Sequence, residues 1–347
     1  MGDHISELPT EWRVNMHDPY ADLEWESAQR LHSVNHTHTF SANPGEGEWV
    51  VTTEHQDGQT TFESMYEDGI RHFAISNYYP SKPTYPLEEY FEDVPDDALG
   101  CPNAEMSTND SRGHYCAVGS RFDNGDGYDG NWRDLFEEIL AELAYDDGGG
   151  IVINHPKRTG LPIDGLLDRV DFDSRVLGVE AYNHRCEAKY GGTGDSLSIW
   201  DELLLTGRMV YGFFNPDYHA PWYPVPDWTD DTYGRNVLLV PSATEEAAAL
   251  AYRRGHFYGA LRGSGLAFER IAVREGEIAV ETNSADRIDF ISDRCLVRTE
   301  RDRTAAYALN GKETYVRIEA EDEGGERIFS QPILLEHDEL GGTERHT

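Results

Sequence analysis

With 347 residues, 38% of them hydrophobic, the chain is long enough for one large α/β domain and a smaller companion. It carries 65 acidic against 29 basic residues, a net charge of -36, which excludes a nucleic-acid partner because a phosphate backbone would be repelled. The 7 Trp, 19 Tyr and 13 Phe exclude an acidic disordered chain, and no apolar run reaches the ~18 residues of a membrane span, so a soluble cytoplasmic protein with no membrane partner is expected.

Residues 1–30 are polar with scattered Trp12, Tyr20 and Trp25, and read as an N-terminal arm packed across the main domain. His36 and His38 alternate with Asn35 and Thr37 in a strand ending near Phe40, which would turn both imidazoles to one side. A helix is predicted from Thr60, where Glu63 completes a capping box, to Gly69. His72 to Ser76 reads as a strand, and Tyr78 to Pro102 as an irregular loop. Strand Tyr115 to Val118 then leads to a helix from Trp132 to Tyr145, with Leu135, Ile139 and Leu143 on one face. Strand Gly150 to Asn154, a short helix near Leu166, strand Val176 to Tyr182 and a helix from Ser196 to Thr206 follow. Strands Met209 to Phe214 and Val237 to Val240 and the Ala-rich helix Glu245 to Arg254 complete the series. Such alternation predicts a parallel α/β barrel over residues 1–262, with its site at the carboxyl ends of the strands.

Beyond Arg262 the pattern changes to short alternating segments separated by turns such as Glu275-Gly276 and Asn310-Gly311. These predict a small antiparallel, β-sandwich-like domain over 263–337, and the polar residues 338–347 are expected to be disordered. Four cysteines without C-x-x-C spacing are expected as buried thiols. Only Lys82, Lys157, Lys189 and Lys312 are lysines, so 29 minus 4 leaves 25 arginines. Together with the acidity, this is the surface expected of a halophilic protein, whose carboxylates need salt to screen them.

Residues of ligand type recur at the predicted strand ends: His36 and His38, Glu105, His114, His155 before Pro156, Glu180, then Asp217 and His219. Imidazoles and carboxylates gathered in this way suit divalent ions. Lys157 and Arg158, directly after His155-Pro156, are candidate clamps for substrate oxygens or plain surface charges. Glu180 either orients a ligand histidine or bonds to backbone.

The succession H-x-H, Glu, Gly-His, Asn-His-Pro, E-x-Y-N and Asp-x-His over about residues 30–260 resembles the PHP (polymerase and histidinol phosphatase) phosphoesterase superfamily. The resemblance implies a distorted seven-stranded βα barrel and phosphoester hydrolysis by a hydroxide bridging two divalent ions (Zn, Mn or Fe). It implies one ion at His36, His38, Glu105 and Asp217, with Glu105 bridging to a second ion at His114 and His155. Glu105, Asp217 and His219 then carry the catalysis, and the substrate is a small phosphorylated molecule. Where the family has Asp-His after the second strand, this chain has Asn77-Tyr78, and the loop after His38 offers Asn43-Pro44. The resemblance would make His219 a metal ligand of a third site, but these departures leave it without charged partners, so two ions are expected. Tyr78 is assigned as a wall or hydrogen-bond donor to substrate, and His219 as a free base or a substrate contact. Arg254-Gly255-His256-Phe257-Tyr258 and Ser330-Gln331-Pro332-Ile333 are similar to the carbaryl-hydrolase-like metallohydrolase branch, so carbamate, amide or ester hydrolysis is the alternative chemistry. A degenerate, non-catalytic binding barrel is the non-enzyme alternative.

Overall fold

The computed structural model describes residues 15–39, 42–43, 50–51, 58–77, 84–109, 112–122, 128–218, 233–261, 265–274 and 276–336. Two sheets build the part that carries the site. One has five strands in the order Tyr211–Asn215, Val176–Asn183, Gly150–Asn154, His114–Val118 and Glu105–Ser107. The other has 11 strands and runs from Leu99–Gly100 through His72–Phe73, Gln29–Val34, Gly234–Val240 and Phe257–Leu261 into the C-terminal strands.

Among the described residues no closed barrel forms. At one seam, the backbone N and O of Phe214 bond to the side-chain amide of Asn236, at 3.1 Å each, in place of a ladder to the neighbouring strand. At the other seam, Glu105 N donates to Ser76 O at 3.2 Å. The expected seven-stranded ring is thus two arcs stitched by isolated bonds. Nor are the arcs wholly parallel. His114–Val118 runs antiparallel to both of its neighbours, because the chain returns from Glu105–Ser107 by a short connection that permits no crossover. Reversal has a functional consequence: a backward strand puts its first residue, His114, at the end where forward strands finish.

Helices cover the arcs much as the periodicities predict, with shifted ends. Glu245–Arg254 is formed as predicted, with the Thr244 hydroxyl capping Ala247 N and Gly255 left-handed at its end. Trp132–Ala141 stops before Tyr145, and Leu135, Phe136, Ile139 and Leu140 are buried. Gly58–Glu67 begins before Thr60, so Thr60 and Glu63 lie inside the helix and form no capping box at its start. Two short helices, Pro156–Thr159 and His184–Lys189, were too brief to show a period. Trp200 packs so closely on Gly212 that a Cβ there would meet the indole at 2.7 Å, which makes glycine obligatory. No described helix is long and apolar enough to cross a membrane.

The C-terminal strands do not stand apart from the first sheet. Arg327–Phe329 pairs antiparallel with Phe257–Leu261, with Gly259 opposite Phe329. The Gln331 amide bonds both backbone groups of Gly212, at 2.8 and 3.0 Å. Arg317, 3% exposed, grips both oxygens of Asp201 at 2.7 and 2.9 Å. A second cluster of core residues, including Phe268, Ile278, Phe290 and Ile318, lies between this sheet and the three-stranded sheet Phe268–Arg274, Glu277–Thr282 and Thr304–Ala308. Three cysteines are buried and free; Cys295 is exposed, against expectation, on the edge strand Cys295–Glu300, which pairs with Arg287–Ser292 on one side.

Candidate metal centre

The strand predicted to run through His36 and His38 ends at Val34. Beyond it the chain pairs with a different segment: Asp217 N donates to His36 O at 2.9 Å, and His38 N to Tyr218 O at 2.8 Å. Both imidazoles are nonetheless fully buried and meet edge to face, with ring centroids 5.4 Å apart. The side-chain donors of His36, His38, Glu105 and Asp217 all lie within 4.8 Å of one another. Those of Glu105, His114 and His155 form a second group under the same limit. Glu105 belongs to both. Its Oε2 faces His36 Nε2 at 3.2 Å and His38 Nε2 at 3.3 Å, while Oε1 faces His114 Nδ1 at 3.0 Å and His155 Nε2 at 3.3 Å.

Backbone conformation is bent to deliver two of these groups. His155 has φ 28° and Asp217 φ 50°, left-handed values that non-glycine residues adopt at a cost of about 1–3 kcal/mol. His155 N is held there by a 2.6 Å bond to Glu180 Oε2. The other oxygen of Glu180 bonds His36 Nδ1 at 2.7 Å, so this carboxylate does both things the sequence left open: it orients a histidine and it ties down backbone. Asn183 Nδ2, at 2.9 Å, and Asn215 Nδ2, at 3.0 Å, donate to the same two oxygens.

No family model matches the chain. No curated protein matches it either. A crystal structure of a two-domain protein from Bacteroides vulgatus, described as containing a predicted PHP-like metal-dependent phosphoesterase, is 13% identical and covers 96% of this chain and 92% of its own, with a TM-score of 0.48. At that distance nothing is transferred from it to this chain.

The donor set itself fits divalent ions. Bonds of about 2.0–2.2 Å place opposite donors about 4.4 Å apart, compatible with the observed 4.8 Å limit. Glu105, Glu180 and Asp217 bring three buried carboxylates around His36. Within that group His36 Nε2 and Glu105 Oε2 are buried and face each other without hydrogen-bond alignment. Such a surplus of buried negative charge requires a cation. In the ion-free protein His36 takes the role: burial alone would push its pKa down, but Asp217, Glu180 and Glu105 hold it well above the ordinary value. Burial would raise Glu105, yet the charge of His36 and the neighbouring imidazoles of His114 and His155 hold its carboxyl well below the usual range. Imidazoles and carboxylates, with no cysteine among them, suit divalent metal ions.

The remaining candidates separate. The Lys157 ammonium is committed to the carbonyls of Gly192 and Asp195, at 2.8 and 3.1 Å, and fastens a loop instead of facing the donors. Arg158 lies 4.3 Å over the Tyr190 ring and lines a cavity together with His114. Tyr78 and His219 lie outside the described residues. Asn77 is buried and bonds Thr39 N through its Oδ1 at 2.9 Å, closing the turn after His38. Sequence reading missed Arg185, whose Nη1 is 3.8 Å from Asp217 Oδ1, and the part that Asn183 of the E-x-Y-N motif and Asn215 play in cradling Glu180. Asn183 and Asn215 each close a strand, which is the signal that could have drawn attention to that part.

Proposed function

We propose that the protein is a metal-dependent hydrolase, a phosphoesterase acting on a small phosphorylated molecule. The observation that supports it is the sharing of one buried carboxylate, Glu105, between two donor groups. Two divalent ions bound there would supply Lewis acidity and make a water molecule acidic enough to act as nucleophile near neutral pH.

The chain's own residues prepare that chemistry. Glu180 accepts from His36 Nδ1 and thereby fixes the tautomer that turns Nε2 toward Glu105 and Asp217. His114, half-buried, stands between the buried donors and the open cavity, so a substrate reaches the centre past it. Asp217 is braced by Asn183 Nδ2 at 3.2 Å, and Arg185 sits beside it. His219, two residues further on, is assigned as the base or substrate contact and Tyr78 as part of the substrate wall.

The test is elemental analysis of full-length protein purified in high salt, followed by a panel of phosphomonoesters, carboxylic esters and carbamates. Glu105→Gln keeps the volume and removes the shared charge, so metal content and turnover should fall together. Wild-type metal content and turnover in that variant would refute the assignment. Turnover confined to carbamates or carboxylic esters would replace the phosphoesterase reading, and bound metal without turnover would favour the binding-barrel alternative.

A further inference from the structure

We propose that the cavity beside the candidate metal centre is a subsite for a second anionic group on the substrate, built from Arg112, Arg158 and Tyr190. It rests on the phosphoesterase reading and adds a specificity to it.

The cavity measures about 510 Å³ and is lined by Arg112, His114, Arg158, Thr159, Tyr190 and Thr193. It is a depression open to solvent, and its volume exceeds that of a single phosphoryl group. His114 is both a wall of the cavity and a member of the donor cluster, which makes the cavity continuous with the candidate centre.

Its charge runs against the rest of the chain. The chain carries 65 acidic and 29 basic residues, so two exposed arginines on one wall form a local positive patch on an acidic protein. Among the described residues neither Arg112 nor Arg158 forms an ion pair, and both are exposed at the cavity wall. The Arg158 guanidinium instead lies 4.3 Å over the Tyr190 ring, and that of Arg185 5.5 Å over the same ring. Stacking uses the face of a guanidinium and leaves the N–H edges to pair with a carboxylate or phosphate, often in a two-point fork.

The wall is also fastened from behind. Lys157 Nζ bonds the carbonyls of Gly192 and Asp195, while Glu187 Oε2 accepts from Gly194 N at 3.1 Å and Asp195 N at 2.9 Å. The Glu187 carboxylate, on the short helix before that loop, is therefore engaged with backbone, as is Asp195 Oδ1 with Leu197 N, and the loop that carries Tyr190 and Thr193 is held at the rim. Carboxylates beneath the donors repel anions unless ions are bound, whereas the arginines attract them in either condition. One end of the substrate then belongs to the metal centre and a different anionic end to Arg112 and Arg158.

Two measurements on the full-length protein separate the subsite from the reaction. First, inorganic phosphate is titrated into EDTA-treated protein by calorimetry at fixed ionic strength. One phosphate should bind per chain, at least tenfold more weakly in Arg112→Met/Arg158→Met, with partial recovery in the double lysine variant. No saturable binding to the wild type, or equal binding to the methionine variant, overturns the subsite. Second, phenyl phosphate, 3-carboxyphenyl phosphate and benzene-1,3-diyl bisphosphate are compared as substrates with manganese present. One of the two doubly anionic esters should show at least tenfold higher kcat/KM, through KM, and the one preferred identifies the second group as carboxylate or phosphate. The methionine variant should lose that preference. Equal kcat/KM for all three esters in the wild type overturns the proposal. Phosphate binding as expected with no ester hydrolysed supports the anion subsite and sinks the phosphoesterase reading instead.

Discussion

Replacing Glu180 by glutamine should do more damage than its near-identical shape suggests. Every partner of this fully buried carboxylate is a donor: His36 Nδ1 and Asn215 Nδ2 on one oxygen, His155 N and Asn183 Nδ2 on the other. A glutamine amide must present its NH2 to one of these pairs, leaving two buried donors facing a third. Each unsatisfied buried donor costs about 1–3 kcal/mol, so the ion-free protein should lose about 2–6 kcal/mol. Metal affinity should fall about 10–100-fold as well, because His36 loses the group that orients it. Urea unfolding of EDTA-treated protein in high salt measures the first effect, and competition with a chromophoric chelator the second. Stability within 0.5 kcal/mol of wild type, taken with affinity within about twofold, would show that Glu180 does not hold His36 and His155 in place.

Diluting KCl from molar to tens of millimolar should lower the thermal midpoint, since the net charge of -36 is then unscreened; an equal or higher midpoint in dilute salt would remove the halophilic reading. Elemental analysis with excess manganese or zinc should find two ions per chain, and a full third ion at His219 would refute the two-ion assignment. His72 is fully buried and burial pushes its pKa down to about 3, below the unfolded value of about 6.5. Its contribution is therefore whole above pH 6.5 and is lost as pH falls towards 3, at ~1.4 kcal/mol per pH unit, a slope that His72→Gln should reduce by one proton and that an unchanged slope would disprove. Asp201→Ala strips Arg317 of a two-point partner and should cost about 3–5 kcal/mol by urea unfolding, towards the lower end because Glu319 still pairs with the guanidinium; a loss below 1 kcal/mol would refute this account.

The donor residues were legible because histidine and glutamate are conspicuous at strand ends, and their chemistry survives errors in the strands themselves. His36 and His38 converge although the strand stops at Val34, since the pairing of residues 36 and 38 with 217 and 218 performs the alignment expected of the ladder. The direction of His114–Val118 left no trace in composition; a parallel and an antiparallel buried strand read alike when both are apolar. Adjacency in sequence could not separate residues 157 and 158, whose side chains diverge: Lys157 goes to loop carbonyls and Arg158 to an aromatic ring beside the cavity. Neutral amides leave no charge pattern: Asn183 stood in the E-x-Y-N motif and Asn215 at a strand end, but that both grip Glu180 shows only in three dimensions.

The bonds made by Gln331 bear on how the protein is born. Its amide completes Gly212, 119 positions earlier, and its backbone N is bound by the Tyr20 hydroxyl, 311 positions earlier. A ribosome delivers those partners long before it delivers residue 331. Until then the Phe257–Leu261 strand waits as an open edge and Gly212 is unsatisfied, a state prone to pairing with other chains. The parts of the molecule that meet at Gln331 therefore complete one another only once residue 331 has been made, and a chain stalled before it would be an aggregation hazard instead of a smaller folded unit.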